Sequence, residues 1–166
     1  MFAVIALVAL VADYATKEIA LAQFSREDPV KLLGGLLRLT LTFNDGAAFS
    51  IGAGMPWLFA LIAIGVISYI LWLGLRLRDA WWAAGLGLIV GGAAGNLVDR
   101  LIRDPVPLHG AVVDWIQLPN WPVFNIADSA IVCGGVLAVW LALRGRNLDG
   151  TKDTAESRGH TPEGSS

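Results

Sequence analysis

The sequence predicts an all-α membrane protein of four transmembrane helices with a small external β-sheet. Three observations carry this reading. Hydrophobic residues make up 55% of the 166-residue chain and charged residues only 16%, against about 25% charged in a soluble domain. Three segments are apolar and long enough to cross a bilayer, which takes about 20 residues in a helix, and a fourth comes close. Between the first and second of these spans lies a stretch of two-residue alternation, the pattern of a half-buried strand.

The first span, about residues 1–21, is the weak one, because Asp13, Lys17 and Glu18 interrupt it. A helix sets Asp13 and Lys17, four apart, on one face where acid and base can pair, and lysine can snorkel to the interface. The segment lacks the basic n-region of a cleaved signal peptide. That no basic residue precedes it also fits a true start upstream of Met1. The second span, about 57–75, is apolar or small apart from Ser68. The third, about 80–98, holds no charge, and the fourth, about 123–143, holds only Asp128. The spans belong to one domain, residues 1–146. Residues 147–166 are rich in Gly, Ser, Thr and charge and read as a disordered tail.

Four spans put both termini on one side. Arg76 and Arg78 lie in the short link between spans two and three, and Arg144 and Arg146 follow the last span. By the positive-inside rule these ends, the termini and the tail are cytoplasmic. The outer side is not free of basic residues, since Arg26, Lys31, Arg38, Arg100 and Arg103 fall there. The tail holds two basic and four acidic residues, so the body is balanced and the net charge of −2 belongs to the tail. No basic patch points to nucleic acid. The single cysteine, Cys133, and the distant His109 and His160 make neither a disulfide nor a metal motif, and no cofactor is implied.

Two segments face outward. In the first, Leu37, Leu39, Leu41 and Phe43 alternate with Arg38, Thr40 and Thr42, and Asn44-Asp45-Gly46 follows as a turn signal. Such a strand can pack on the helices or lie against lipid or an extended peptide. The second carries Pro105, Pro107, Pro119 and Pro122, which forbid a long helix, while Pro122 can start the last one. Asp114 stands there among Val112, Val113, Trp115 and Ile116, odd company for a loop carboxylate.

Charges within a span are costly, at least about 2.5 kcal/mol near the centre. Asp128 lies five residues past Val123, about 7.5 Å into the last helix, with Asn125 on the same face. Asn96, Asp99 and Arg100 cluster at the end of span three, after Gly91, Gly92 and Gly95, which permit close helix approach. Each has an ordinary explanation: Asp99 and Arg100 as an anchoring ion pair, Asp128 as a cap. Together, Asp114 and Asp128 admit another. Two carboxylates held close at an apolar boundary cannot both ionise easily, so they share a proton. One can then activate water while the other hydrogen-bonds a peptide carbonyl, the logic of aspartic proteases. A cation-coupled transporter would also need intramembrane acids, but nearer the midplane, and no inverted repeat is evident. A non-catalytic scaffold would be free to lose either aspartate.

Five motifs, in order, resemble those of the bacterial lipoprotein signal peptidases, or signal peptidase II. They are Asp13-x-x-Thr16-Lys17; Asn44-x-Gly46-x-Ala48-Phe49-Ser50; Gly95-Asn96-x-x-Asp99-Arg100; Val112-Val113-Asp114-Trp115-Ile116; and Phe124-Asn125-x-Ala127-Asp128-Ser129. The resemblance implies a membrane aspartic endopeptidase that removes signal peptides from diacylglyceryl-modified prolipoproteins, cutting on the amino side of the lipidated cysteine. It implies Asp114 and Asp128 as the catalytic pair and Asn44, Gly46, Asn96, Asp99, Arg100 and Asn125 as the polar surround. Asp13 and Lys17 fall in its first-span motif. It further implies an external sheet that cradles substrate, an external flap, contact with membrane lipid, and inhibition by globomycin. Trp115 replaces the more usual Phe, and the 13 residues between the aspartates are few for a flap.

Overall fold

The computed structural model describes residues 1–46, 54–103 and 108–152. Ala48, Phe49 and Ser50 of the second motif, Pro105 and Pro107, and most of the expected tail lie outside these residues. Helices α1 (Phe2–Gln23), α2 (Pro56–Gly74), α3 (Ala80–Ile102) and α4 (Ile126–Leu143) are joined by a three-stranded antiparallel sheet of β1 (Val30–Leu32), β2 (Leu37–Asn44) and β3 (Val112–Gln117), in the order β1-β2-β3.

By length and composition, α2, α3 and α4 could each cross a membrane; α1 is not in that set. The reason is the charge already noted in its sequence. The structure turns that charge inward: Asp13 and Lys17 are fully buried, while Val4, Leu7, Val8 and Val11 are exposed. Exposed valines and leucines also coat α2 and α4, among them Leu61, Val132 and Val136. Helices apolar on their outer face suit a hydrocarbon surround. The seven tryptophans separate toward two ends. Trp57, Trp115 and Trp121 lie at one, Trp72, Trp81, Trp82 and Trp140 at the other. Along α2, Trp57 and Trp72 stand about 22 Å apart at 1.5 Å per residue, the pattern of interfacial aromatic belts.

Helix α3 is the hub, packing on α1, α2 and α4. Its glycines make this possible. A Cβ at Gly91 would come within 2.7 Å of Ala9 Cβ on α1, and one at Gly92 would collide with the Ala127 carbonyl and approach Ile131 Cγ1 of α4 to 2.9 Å. Adjacent glycines thus serve opposite neighbours.

Several expectations change in detail. The third helix runs on to Ile102, so Asp99 and Arg100 lie inside it rather than at its end. The last helix begins at Ile126, not at Pro122 or Val123, because Asn125 caps it and Phe124 is held in a bridge to Ile116. Asp128 therefore sits in the first turn. The alternation of β2 does not divide core from solvent cleanly: Thr40 is buried and Phe43 is 58% exposed. A register shift between Leu39 and Thr42 is responsible, since an extra residue reverses the faces beyond it. Residues 147–152, assigned by composition to the tail, turn back on the bundle. Leu148 packs beside the core and its carbonyl accepts the backbone N–H groups of Arg78 and Asp79 at 2.9 and 3.0 Å.

A direct check of the α3–α4 contact compares two glycines. Gly92→Ala is expected to cost about 1–3 kcal/mol by overpacking. Gly135→Ala, where an added Cβ meets nothing within 4 Å, is expected to be neutral or stabilising by up to about 1 kcal/mol. Thermal denaturation in detergent reads both.

Candidate active site

Asp114 lies on β3, opposite Thr42 of β2. The run Val112-Val113-Asp114-Trp115-Ile116 is β-branched and aromatic, which favours a strand, and this strand forms the inner edge of the sheet against the helix ends. Asp128 is the third residue of α4. Its backbone N–H donates to Asn125 Oδ1 at 2.9 Å, and its own Oδ2 accepts the Asn125 N–H at 3.1 Å. This capping box satisfies orphan donors at the helix start and at the same time fixes the carboxylate.

Asn125 joins the two acids. Its side-chain amide donates to Asp114 Oδ1 at 2.7 Å and to Asn96 Oδ1 at 3.1 Å. Asn96 in turn donates to Asp128 Oδ1 at 2.8 Å. From β2, Asn44 donates to Asp114 Oδ2 at 3.1 Å, while its own Oδ1 accepts the Gly46 N–H at 3.0 Å. Arg100 donates to the Gly46 carbonyl at 3.0 Å and to the Asn96 carbonyl at 3.1 Å, and lies over the Phe59 ring of α2 at 5.7 Å. Both carboxylates, with Asn44, Gly46, Asn96 and Arg100, line one cavity of about 540 Å³. Apart from Ser129, the remaining wall is largely apolar and includes Phe59, Val123, Ile131 and Val132.

Burial pushes the Asp114 carboxyl up to about 7, and the charge of Asp128 adds to the effect, against hydrogen bonds from Asn44 and Asn125 and the more distant charge of Lys17. Asp114 is 2% exposed and Asp128 only half-buried. One acid thus titrates well above the usual carboxylate range while its neighbour retains access to solvent. A water between them could lose a proton to one as a carbonyl is polarised by the other.

Asp13, Lys17 and Asp99 form a second cluster behind the first. The Lys17 ammonium, with no solvent exposure, lies 2.7 Å from both Asp13 Oδ2 and Asp99 Oδ2 and donates to Asn96 Oδ1 at 3.0 Å. Asp13 Oδ1 accepts the Ala127 N–H at 2.8 Å, and Asp99 Oδ2 accepts the Val113 N–H at 3.2 Å. Gly95 leaves room for the Asp13 carboxylate, which a Cβ there would strike. Asp99 and Arg100, adjacent in sequence, are therefore not each other's ion pair. Asp99 faces Lys17 and, at 2.7 Å, Arg103, whereas Arg100 faces the cavity. Among the described residues, no group of His, Cys, Asp and Glu is arranged to hold a metal.

Three participants escaped the sequence reading. Arg103, four residues after Asp99, was legible as an i,i+4 partner. Ser129, which lines the cavity and donates to the Asn125 carbonyl at 3.0 Å, stood within the last motif. Phe59 carried no signal in an apolar helix.

Residues 5–144 match the family model described as signal peptidase (SPase) II. A lipoprotein signal peptidase of Rhodococcus jostii is 50% identical over 153 residues, 92% of this chain and 77% of that protein. One from Mycobacterium tuberculosis is 47% identical over 145 residues, 87% and 72% of the two chains. Among solved structures, a bacterial membrane enzyme determined by the in meso method at 2.3 Å superposes with a TM-score of 0.76 at 26% identity, covering 91% of this chain and 92% of that one. A second, at 1.9 Å, gives 0.72 at 29% identity, covering 85% and 91%.

Two stability measurements probe the paired clusters. Lys17→Met leaves Asp13 and Asp99 buried without their shared cation and is expected to cost on the order of 3–5 kcal/mol, read by thermal denaturation. For Asp114, the folded protein binds the proton more tightly than the unfolded chain, whose carboxyl stays near 3.8. Its stabilising contribution is full below that value and is lost as pH rises toward about 7. Asp114→Asn is expected to remove this part of the wild-type decline, so wild type and variant should diverge across that window.

Proposed function

We propose that Asp114 and Asp128 are the catalytic carboxylates of this chain, which belongs to the signal peptidase II family. It is a membrane protease that removes signal peptides from prolipoproteins. The observation that carries the aspartic mechanism is the joining of the two carboxylates, through Asn125 and Asn96, in one cavity.

In the reading favoured by its raised carboxyl, Asp114 holds the shared proton at rest. Asp128 accepts a proton from water as the water oxygen attacks the scissile carbonyl carbon. Asp114 donates its proton to the carbonyl oxygen, giving a gem-diol. Asp128 then passes its proton to the leaving nitrogen as the C–N bond breaks. Asp114 recovers its proton from the gem-diol as the product carboxyl forms. Asn44 and Asn125 orient Asp114, and Asn96 orients Asp128. Arg100 ties the Gly46 turn to α3 and keeps a fixed positive charge beside the acids. The apolar wall suits an extended signal peptide leaving the bilayer.

The finer topology belongs to the same proposal. Helix α1 serves as a fourth span, supported by its length, its apolar outer face and the inward pairing of its charges. Residues 1–146 form the peptidase domain, both termini are cytoplasmic, and the cavity lies toward the outer face. There it meets prolipoproteins already carrying diacylglycerol, cleaved on the amino side of the modified cysteine. Globomycin is expected to compete for this cavity.

The test is a gel-shift assay in detergent with a diacylglyceryl-modified prolipoprotein. Wild type should cleave and be blocked by globomycin. Asp114→Asn and Asp128→Asn, though folded, should lose about 100- to 10,000-fold in rate. Near-wild-type cleavage by either variant would remove that residue from the mechanism.

A further inference from the structure

We propose that the end of the bundle remote from the carboxylates carries a binding site for the headgroup phosphate of an anionic phospholipid. The ends of α2 and α4 and the start of α3 border a groove of about 520 Å³ lined by Leu73, Arg76, Trp82, Arg146, Leu148 and Asp149, among others. Arg76 and Arg146 line the groove with Asp149, and Arg78, Arg144 and Lys152 lie within a few residues of its lining in the chain, as does a second carboxylate, Asp79.

Both carboxylates are already engaged. Asp79 caps α3, accepting the Trp81 and Trp82 N–H groups at 2.8 and 2.9 Å, and pairs with Arg146 Nε. Asp149 accepts from the Thr151 hydroxyl at 2.7 Å and its N–H at 2.9 Å, and lies in the field of Arg78. Arg76 and Arg144 are different. Each stacks on a tryptophan, Arg76 over Trp72 at 5.4 Å and Arg144 over Trp140 at 5.0 Å. Among the described residues neither has a carboxylate within ion-pair distance. A planar guanidinium held against an indole keeps its N–H fork free for phosphate oxygens.

The surroundings select a lipid over a free anion. Trp72, Trp81 and Trp140 are about half exposed, and Leu75 and Leu143 are 84% and 82% exposed. Indole rings at the headgroup level, with leucines beside them, suit glycerol and acyl chains, and clustered arginines attract anionic lipid. The inference rests on the chain's crossing a membrane and not on the roles given to Asp114 and Asp128.

The experiment uses the full chain in nanodiscs of phosphatidylcholine with and without phosphatidylglycerol. Co-purifying lipid is identified by native mass spectrometry, and thermal stability is followed in parallel. Wild type is expected to retain phosphatidylglycerol above its share of the bilayer and to be stabilised by it. Arg76→Gln/Arg144→Gln should lose that enrichment, roughly fivefold per arginine, with cleavage in detergent unchanged as a check on folding. Arg76→Lys/Arg144→Lys should keep part of it. No enrichment in wild type, or equal enrichment in the Gln variant, would overturn the proposal. Stabilisation by inorganic phosphate alone, in phosphatidylcholine discs, would overturn the lipid in favour of a soluble anion.

Discussion

One ammonium group organises this molecule. Lys17 has no contact with solvent, so its charge must be compensated within the protein or not carried at all. Asp13, Asp99 and Asn96 supply that compensation, and each is committed elsewhere as well. Asp13 also holds the first turn of α4 through Ala127, Asp99 also holds β3 through Val113, and Asn96 also donates to Asp128. The strand bearing Asp114 and the turn bearing Asp128 are thus both referenced to the same buried cation. Motion of either element would expose or unpair a charge.

The two carboxylates owe their difference to the elements that carry them. A strand flanked by Val112 and Val113, both buried, removes Asp114 from water. A helix start needs polar acceptors, so Asp128 sits where the fold would want an acid in any case. Its Oδ2 serves the cap while Oδ1 faces Asn96. The structural demand and the proposed chemical role coincide on one side chain, which makes the candidate site compact: few of its residues make only one kind of contact.

Much of this was legible in the sequence, for identifiable reasons. Apolar runs reveal spans because lipid demands them. Charges inside those runs mark the candidate site because they are costly there. Asp13 and Lys17 were legible as a pair through their spacing, but Asp99 as their third member was not, since its neighbour Arg100 offered the simpler partner. Helix geometry decides the matter by sending consecutive residues about 100° apart. The strand character of Val112–Gln117 is masked by the prolines around it, and the bulge in β2 leaves no mark on an alternating pattern. Phe59 is one aromatic among many in α2, and only the position of Arg100 distinguishes it.

The buried lysine also bears on how the chain is made. Its partners Asn96 and Asp99 are translated some 80 residues after it. Until they emerge, Asp13, one turn away, is the partner within the first helix that pairs with the Lys17 charge. That internal pair acts as a temporary escort within the first helix. Completion of the Lys17 cluster has to wait for the third helix, so the order of synthesis and the order of assembly differ.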